Sequence, residues 1–220
     1  MAQPSNAEKR PRLTAERVLS TALGLADQIG INDLTIRRLA EALDVKPMTI
    51  YHHVPNKEAI IDGMVDLVFS EIEHPDPELD WKTAIRRRCA SARVVLARHR
   101  WAVPYMESRT SPGPATLSHH DAVLGCLRRE MSIEMTAHAY AALDAYVYGF
   151  ALQEANLPAT GGDEMAALAS DIIEQFPLAE YPHLAEFTMQ HVMQPGYDFM
   201  QEFDFGLDLI LDGLVRAAHR

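Results

Sequence analysis

Apolar residues three and four apart run through nearly every long segment of this 220-residue chain, while alternating apolar and polar runs are scarce. That periodicity leaves the helix as the way to bury those side chains, so the expected fold class is all-α. The signals are densest near the start. Thr14 can cap a helix that puts Val18, Ala22, Leu25, Ala26 and Ile29 on one face and stops at Gly30. Thr35 can cap a second, with Ile36, Leu39, Ala40 and Leu43 inward. Lys46-Pro47 opens a third, because proline suits the first helical position. Asn56 can cap a fourth, striped by Ile60, Met64, Leu67 and Val68.

The proline-rich stretch HPDPELD (74–80) then breaks the pattern and marks a domain boundary. Beyond it, helices are expected at 80–98, 114–130, 133–156, 163–175, 182–193 and 197–218, mostly separated by proline-containing joints, with a loose loop at 156–164. The organisation read from this is a flexible basic arm (1–12, with Lys9, Arg10 and Arg12), a first domain (13–72) and a larger helical domain (73–220).

Several function classes find no support. No apolar run approaches the ~20 residues that span a bilayer. The opening MAQPSNAEKRPRL is polar and basic, unlike a secretory signal. Cys89 and Cys126 lie far from any CxxC spacing and read as buried free thiols of a reducing compartment. A cytoplasmic protein with no membrane partner is expected. There is no Gly-x-Ser-x-Gly, phosphate-cradling loop or metal-ligand cluster, so neither catalysis, a metal nor a cofactor is expected.

Charge is unevenly spread. Residues 1–70 carry 8 Lys+Arg against 9 Asp+Glu, and residues 71–220 carry 12 against 22, for a net charge of −11. Within this acidic chain, KPMTIYHHVPNK (46–57) holds two basic ends, two histidines and no acid. It follows the short helix TIRRLAEAL across the three-residue turn DVK. That layout fits a helix-turn-helix whose second helix enters a major groove, where acids would repel phosphates. It equally fits a three-helix packing motif that touches no nucleic acid, and the pattern alone leaves both open.

The wider motif set bears on that choice. Residues 13–69 resemble the DNA-binding domain of the tetracycline-repressor (TetR) family: the helix ending in Gly30, the LTIRRLAEALDV run, the T-I-Y-H-H-V helix and the NKEAIIDGM entry to the fourth helix. More loosely, LARHR (96–100) and EFDFGLDLILDGL (202–214) resemble the tetracycline repressor's own branch. The resemblance implies a three-helix DNA-binding domain followed by a helical ligand-binding and dimerisation domain. It implies a homodimer that binds double-stranded operator DNA and answers to a small molecule. The expected function is a ligand-responsive regulator, foremost a repressor; the alternative is an effector-independent activator or architectural factor of the same fold.

Two departures stand out. Asp44 occupies the turn where the family usually has glycine, a tolerable change because Asp accepts the left-handed conformation better than most residues. Met106 falls near the position of a histidine that helps hold magnesium-bound tetracycline, and a thioether has no use for a hard cation. A mostly apolar organic effector is expected instead.

Carried over position by position, the resemblance assigns Tyr51 and His53 to phosphates, Thr49, Lys46 and Met48 to bases, and His52 to stacking on sugar or a thymine methyl. Lys57, beside helix-start amides, suits a phosphate clamp, and Arg37 could reach bases or backbone. Ala142, Ala145 and Gly149, at helical spacing, and the stripe Phe203, Leu207, Ile210 and Leu214, beside Asp204, Asp208 and Asp212, are expected at a dimer interface. Trp101, Tyr105, Met106, Arg109, His119, His120, Tyr146, Phe150, Gln153 and Glu154 bracket the expected effector cavity.

Overall fold

A computed structural model describes residues 12–158, 161–162, 165, 167–168, 170–171 and 178–218. The first domain contains α1 (Ala15–Ile29), α2 (Ile36–Leu43), α3 (Pro47–Ile50) and α4 (Lys57–Glu71). The caps lie where the side chains can make them. Thr14, Thr35 and Asn56 accept from the backbone amides of Arg17, Arg38 and Ala59. Each such cap satisfies a donor that the helix start would otherwise orphan, and stabilises by about 1 kcal/mol. Gly30, at φ 81°, ends α1 in a conformation that a side chain would strain.

The larger domain comprises α5 (Trp81–Arg98), α6 (Pro114–Arg128), α7 (Ile133–Asn156), α8 (Pro182–Phe187) and α9 (Met200–Ala218). A 3-10 helix, Arg100–Tyr105, follows α5 where only a proline joint was expected. A π-helical turn, Thr188–Val192, continues α8 through the rest of the expected 182–193 segment. Among the described residues the sole bridge of β type pairs Gly161 with Asp198. Most of the arm and of the expected 163–175 helix lies outside the described residues.

One apolar core runs through both domains. Val18, Ala22, Leu39, Ile50, Met64 and Val68 of the first domain are joined through Phe69 and Ile72 to Ile85, Leu96, Leu143 and Leu207 of the second. Helix α4 is the shared wall, packing on α1 on one side and on α6 on the other. Burying each large apolar side chain stabilises by about 1.5–3 kcal/mol, so separating the domains would be costly.

Helix α9 turns most of its expected interface stripe towards its own subunit. Phe203, Leu207 and Leu214 are buried in the subunit's own core and Ile210 is half-buried. The acids beside that stripe explain its direction. Asp208 and Asp204 hold Arg86 at 2.7 and 3.2 Å, and Asp212 holds Lys82 at 2.5 Å, fixing α9 against α5. What α9 leaves exposed is Phe205 and Leu209. On α7, Ala142, Ala145, Gly149 and Leu152 are exposed, and a Cβ at Gly149 would meet nothing within 4 Å.

Candidate nucleic-acid interface and ligand chamber

The turn between α2 and α3 depends on one backbone conformation. Asp44 is left-handed at φ 54°, ψ 49°, with its amide bonded to carbonyls at the end of α2. Val45 N–H then donates to the Ala40 carbonyl at 3.0 Å, which aims the chain into α3. With only four residues, α3 cannot hold itself, since an isolated turn is far below the length of a stable helix. It is pinned by Ile50 and Val54, both buried.

That anchoring leaves Lys46, Met48, Tyr51 and His52 exposed, Met48 by 69%. Thr49 and His53 are half-buried beside them. Lys57 is exposed at the first position of α4, next to amides suited to an anion. The structure therefore gathers these seven residues at one end of the first domain. Arg37 is exposed too, but its Nε donates to Glu41 at 3.0 Å, so a DNA contact would compete with that pair. Arg38 turns towards Asp33.

Behind this face, the two domains are tied by side chains rather than apolar contact alone. Arg109 donates from Nε to Asp62 at 2.5 Å and from a terminal nitrogen to Glu58 at 2.8 Å, both on α4. Asp66 of α4 accepts from Thr116 N–H and Oγ1 at 2.7 and 2.9 Å, capping α6 from outside it. Gly113 makes that approach possible, since a Cβ there would collide with the Asp66 carboxylate. Trp101 Nε1 donates to Asp27 of α1 at 2.8 Å, and His99 lies between Asp27 and Glu71 at 2.8 and 3.2 Å. The start of α6 is thereby hydrogen-bonded to the helix that carries Lys57.

The residues expected around an effector separate into groups. Met106, Arg109 and His120 line one cleft of about 140 Å³ between α4, α6 and the 106–112 segment, with Val65, Glu107 and Thr116. Trp101 is instead an interdomain strut, with Tyr105 tilted against it at 6.3 Å. Tyr146 donates to the Phe203 carbonyl at 2.9 Å, and Phe150 packs edge-on against Phe203 at 5.1 Å, so both tie α7 to α9. Glu154 is buried and accepts two bonds from Arg93 at 3.1 Å each, while Gln153 is exposed. His119 faces the core. None of these last residues lines the cleft.

The core of the larger domain holds a polar cluster that the sequence reading missed. Arg88, only 1% exposed, donates to His119 Nε2 at 3.0 Å and to Asp144 Oδ1 at 3.2 Å. Burial disfavours its charge, but the Asp144 carboxylate beside it favours the guanidinium, whose pKa stays raised. Burial, then Arg88, pushes the His119 pKa down to about 2. The ring is neutral, and because Nε2 accepts, its proton sits on Nδ1.

Tyr140, Asp144 and Tyr148 follow at four-residue spacing on α7. Tyr140 OH contacts His120 Nδ1. Asp144 Oδ2, Tyr148 OH and His119 Nδ1 are buried with no hydrogen-bond partner. The Glu107 carboxyl comes near the Tyr148 hydroxyl without reaching hydrogen-bonding geometry. Burial, with Asp144 next, raises the Tyr148 pKa well above the ordinary value, so this phenol keeps its proton. One signal was available in the sequence: Arg88 sits four residues from both Ala84 and Ala92, on the stripe that α5 buries. Among the described residues no group of three or more His, Cys, Asp and Glu is arranged to hold a metal ion. No helix among them is long and apolar enough to cross a membrane.

Comparison with known proteins follows the same division. Residues 18–64 match the family model "Bacterial regulatory proteins, tetR family", and residues 74–217 match "Tetracyclin repressor-like, C-terminal domain". The HTH-type transcriptional repressor DrrR1 of Streptomyces coeruleorubidus is 29% identical over 99% of this chain and 83% of its own. The class C tetracycline repressor protein of Escherichia coli is 29% identical over 93% of this chain and 92% of its own. Among solved structures, Streptomyces coelicolor ActR in complex with actinorhodin superposes with a TM-score of 0.77 at 26% identity, covering 94% of this chain and 97% of that one.

Proposed function

From the premise that the chain belongs to the tetracycline-repressor family, we infer how this ligand-responsive, DNA-binding transcriptional regulator works. It is a repressor in this reading, and two copies grip an operator through Lys46, Met48, Thr49, Tyr51, His52, His53 and Lys57. Tyr51, His53 and Lys57 serve the phosphates, and Lys46, Met48 and Thr49 the base edges. The observation that carries the reading is the position of α4. One helix presents Lys57 to DNA and holds Arg109 and Thr116 of the ligand domain through Glu58, Asp62 and Asp66. A molecule entering the cleft beside Arg109 would bias that junction, and so the spacing of two reading heads that must match major grooves ~34–36 Å apart. ActR, solved in complex with actinorhodin, is a related case of a small organic guest in this fold.

The second copy would meet the exposed faces of α7 and α9, with Ala142, Ala145 and Gly149 allowing close approach and Phe205 and Leu209 supplying apolar area. Leu209→Asp should then give a monomer in sedimentation, because the charge would be buried unpaired. A stable monomer of the unmodified protein would remove this assignment.

The test of the whole reading starts by selecting a binding site from random duplexes with the full chain. Anisotropy then measures affinity for it with and without organic compounds that raise the melting temperature. Repression by ligand release predicts that at least one such compound weakens operator binding, and that operator weakens that compound's binding by the same factor. Failure to select any sequence would overturn the DNA assignment. Stabilising compounds that leave operator affinity unchanged would favour an effector-independent regulator.

A further inference from the structure

The buried cluster beside the cleft has more polar capacity than its own residues use. Asp144 Oδ1 is engaged by Arg88, while Oδ2, near the Tyr140 hydroxyl, and the Tyr148 hydroxyl, one turn along α7 and near Glu107, have no partner in hydrogen-bonding geometry. A buried carboxylate oxygen left unsatisfied is costly, so an occupant that donates to it is favoured. The neighbouring phenol can donate to that occupant in turn. Glu107, which lies near both Asp144 and Tyr148, and His120, which contacts Tyr140, line the 140 Å³ cleft, whose other walls include Val65, Met106 and Leu117.

We propose that Asp144 and Tyr148 form the polar end of the effector site and recognise a hydroxyl group on a neutral, largely apolar molecule. The ligand hydroxyl donates to Asp144 Oδ2 and accepts from Tyr148 OH, while its body lies between Met106, Val65 and Leu117. This deepens the ligand-responsive reading above and rests on it for its regulatory meaning. The Arg88 guanidinium is not a free anion receptor, because Asp144 and His119 already occupy it. A carboxylate in the same place would face the uncompensated Asp144 oxygen and Glu107. Methylating the hydroxyl removes the proton that Asp144 needs and adds bulk between the two groups.

The cleft is smaller than a drug-sized pocket, so two-ring probes suit it. Calorimetry on the free, full-length protein compares 1-naphthol with its methyl ether and with 1-naphthoate. The expected result is that naphthol binds at least tenfold tighter than either, and that Tyr148→Phe and Asp144→Asn each reduce this preference to under threefold. Circular dichroism and melting of both variants show that they remain folded. Comparable or tighter binding of the ether or of naphthoate, a preference that survives both substitutions, or no binding by any probe would overturn the assignment. Operator affinity is measured separately. Naphthol that binds with the expected preference yet leaves operator affinity unchanged would refute the regulatory reading and not the hydroxyl site.

Discussion

The two ends of this molecule keep their polar groups in opposite ways. At the DNA-facing end, Lys46, His52 and Lys57 stand exposed on a small apolar base built on Ile50 and Val54. In the larger domain, Arg88, Asp144 and His119 are buried and depend on one another. The first arrangement adds little to folding and is available to an outside partner. The second is part of folding, and an unsatisfied remainder is what a ligand can use. In the proposed reading, one site is read from outside by charge, and the other from inside by hydrogen-bond complementarity.

Breaking the buried pair should have the largest effect. Asp144→Ala strands the Arg88 charge in the core and should cost about 3–5 kcal/mol in urea unfolding. Replacing both together by Leu and Met should recover much of that loss, because the penalty belongs to the orphaned charge. The exposed Arg37–Glu41 pair is the matching control, and Glu41→Ala should change stability by no more than about 0.5 kcal/mol. A similar loss at both sites would erase the distinction between the two regions.

The same contrast decides what could be read from the sequence. The first domain was legible because its determinants are local: a cap at Thr14, Thr35 or Asn56 acts within three residues, and the Asp44 turn within five. The left-handed backbone at Asp44 follows from residue type and helix spacing alone. The larger domain's helices were legible for the same reason, while the fate of their faces was not. The α9 stripe of Phe203, Leu207 and Leu214 is apolar whether it meets α7 of its own chain or a second copy; the ion pairs of Asp204 and Asp208 with Arg86, 118 and 122 residues away, settle the direction. The interdomain ties of Arg109 and Trp101 were not legible, because their partners on α4 and α1 lie 47 and 74 residues distant. The Arg88 cluster joins three helices across 31 and 56 residues, and no local pattern announces it.

A smaller effect sharpens the comparison through pH. The folded pKa of His119 is about 2, against about 6.5 when unfolded. The unfolded chain therefore binds the extra proton between these values, and stability falls as pH drops through 6.5. From pH 7.5 to 5.5 this one residue should remove on the order of 1 kcal/mol. His119→Gln keeps an acceptor for Arg88 and should flatten that part of the profile in unfolding measured at both pH values. An unchanged slope would mean that His119 is not the neutral acceptor in the cluster.

The smallest effect lies on the exposed face, and it tests the idea that this region contributes to binding and not to folding. Lys57 neutralises one phosphate in the proposed complex, so removing it releases about one counterion fewer on binding. Lys57→Ala should lower the slope of log affinity against log salt by ~1 and weaken operator binding by about 1 kcal/mol near physiological salt. Non-specific duplexes should lose a similar factor, since a phosphate carries no sequence information. Unfolding free energy should stay within about 0.5 kcal/mol, because the side chain is exposed. Thr49→Ala is the counterpart, expected to change which operator is preferred while leaving the salt slope alone. The two readouts separate a phosphate contact from a base contact on the same few residues. If Lys57→Ala changes stability more than salt dependence, the exposed end belongs to the folded core's economy and the contrast between the two regions fails.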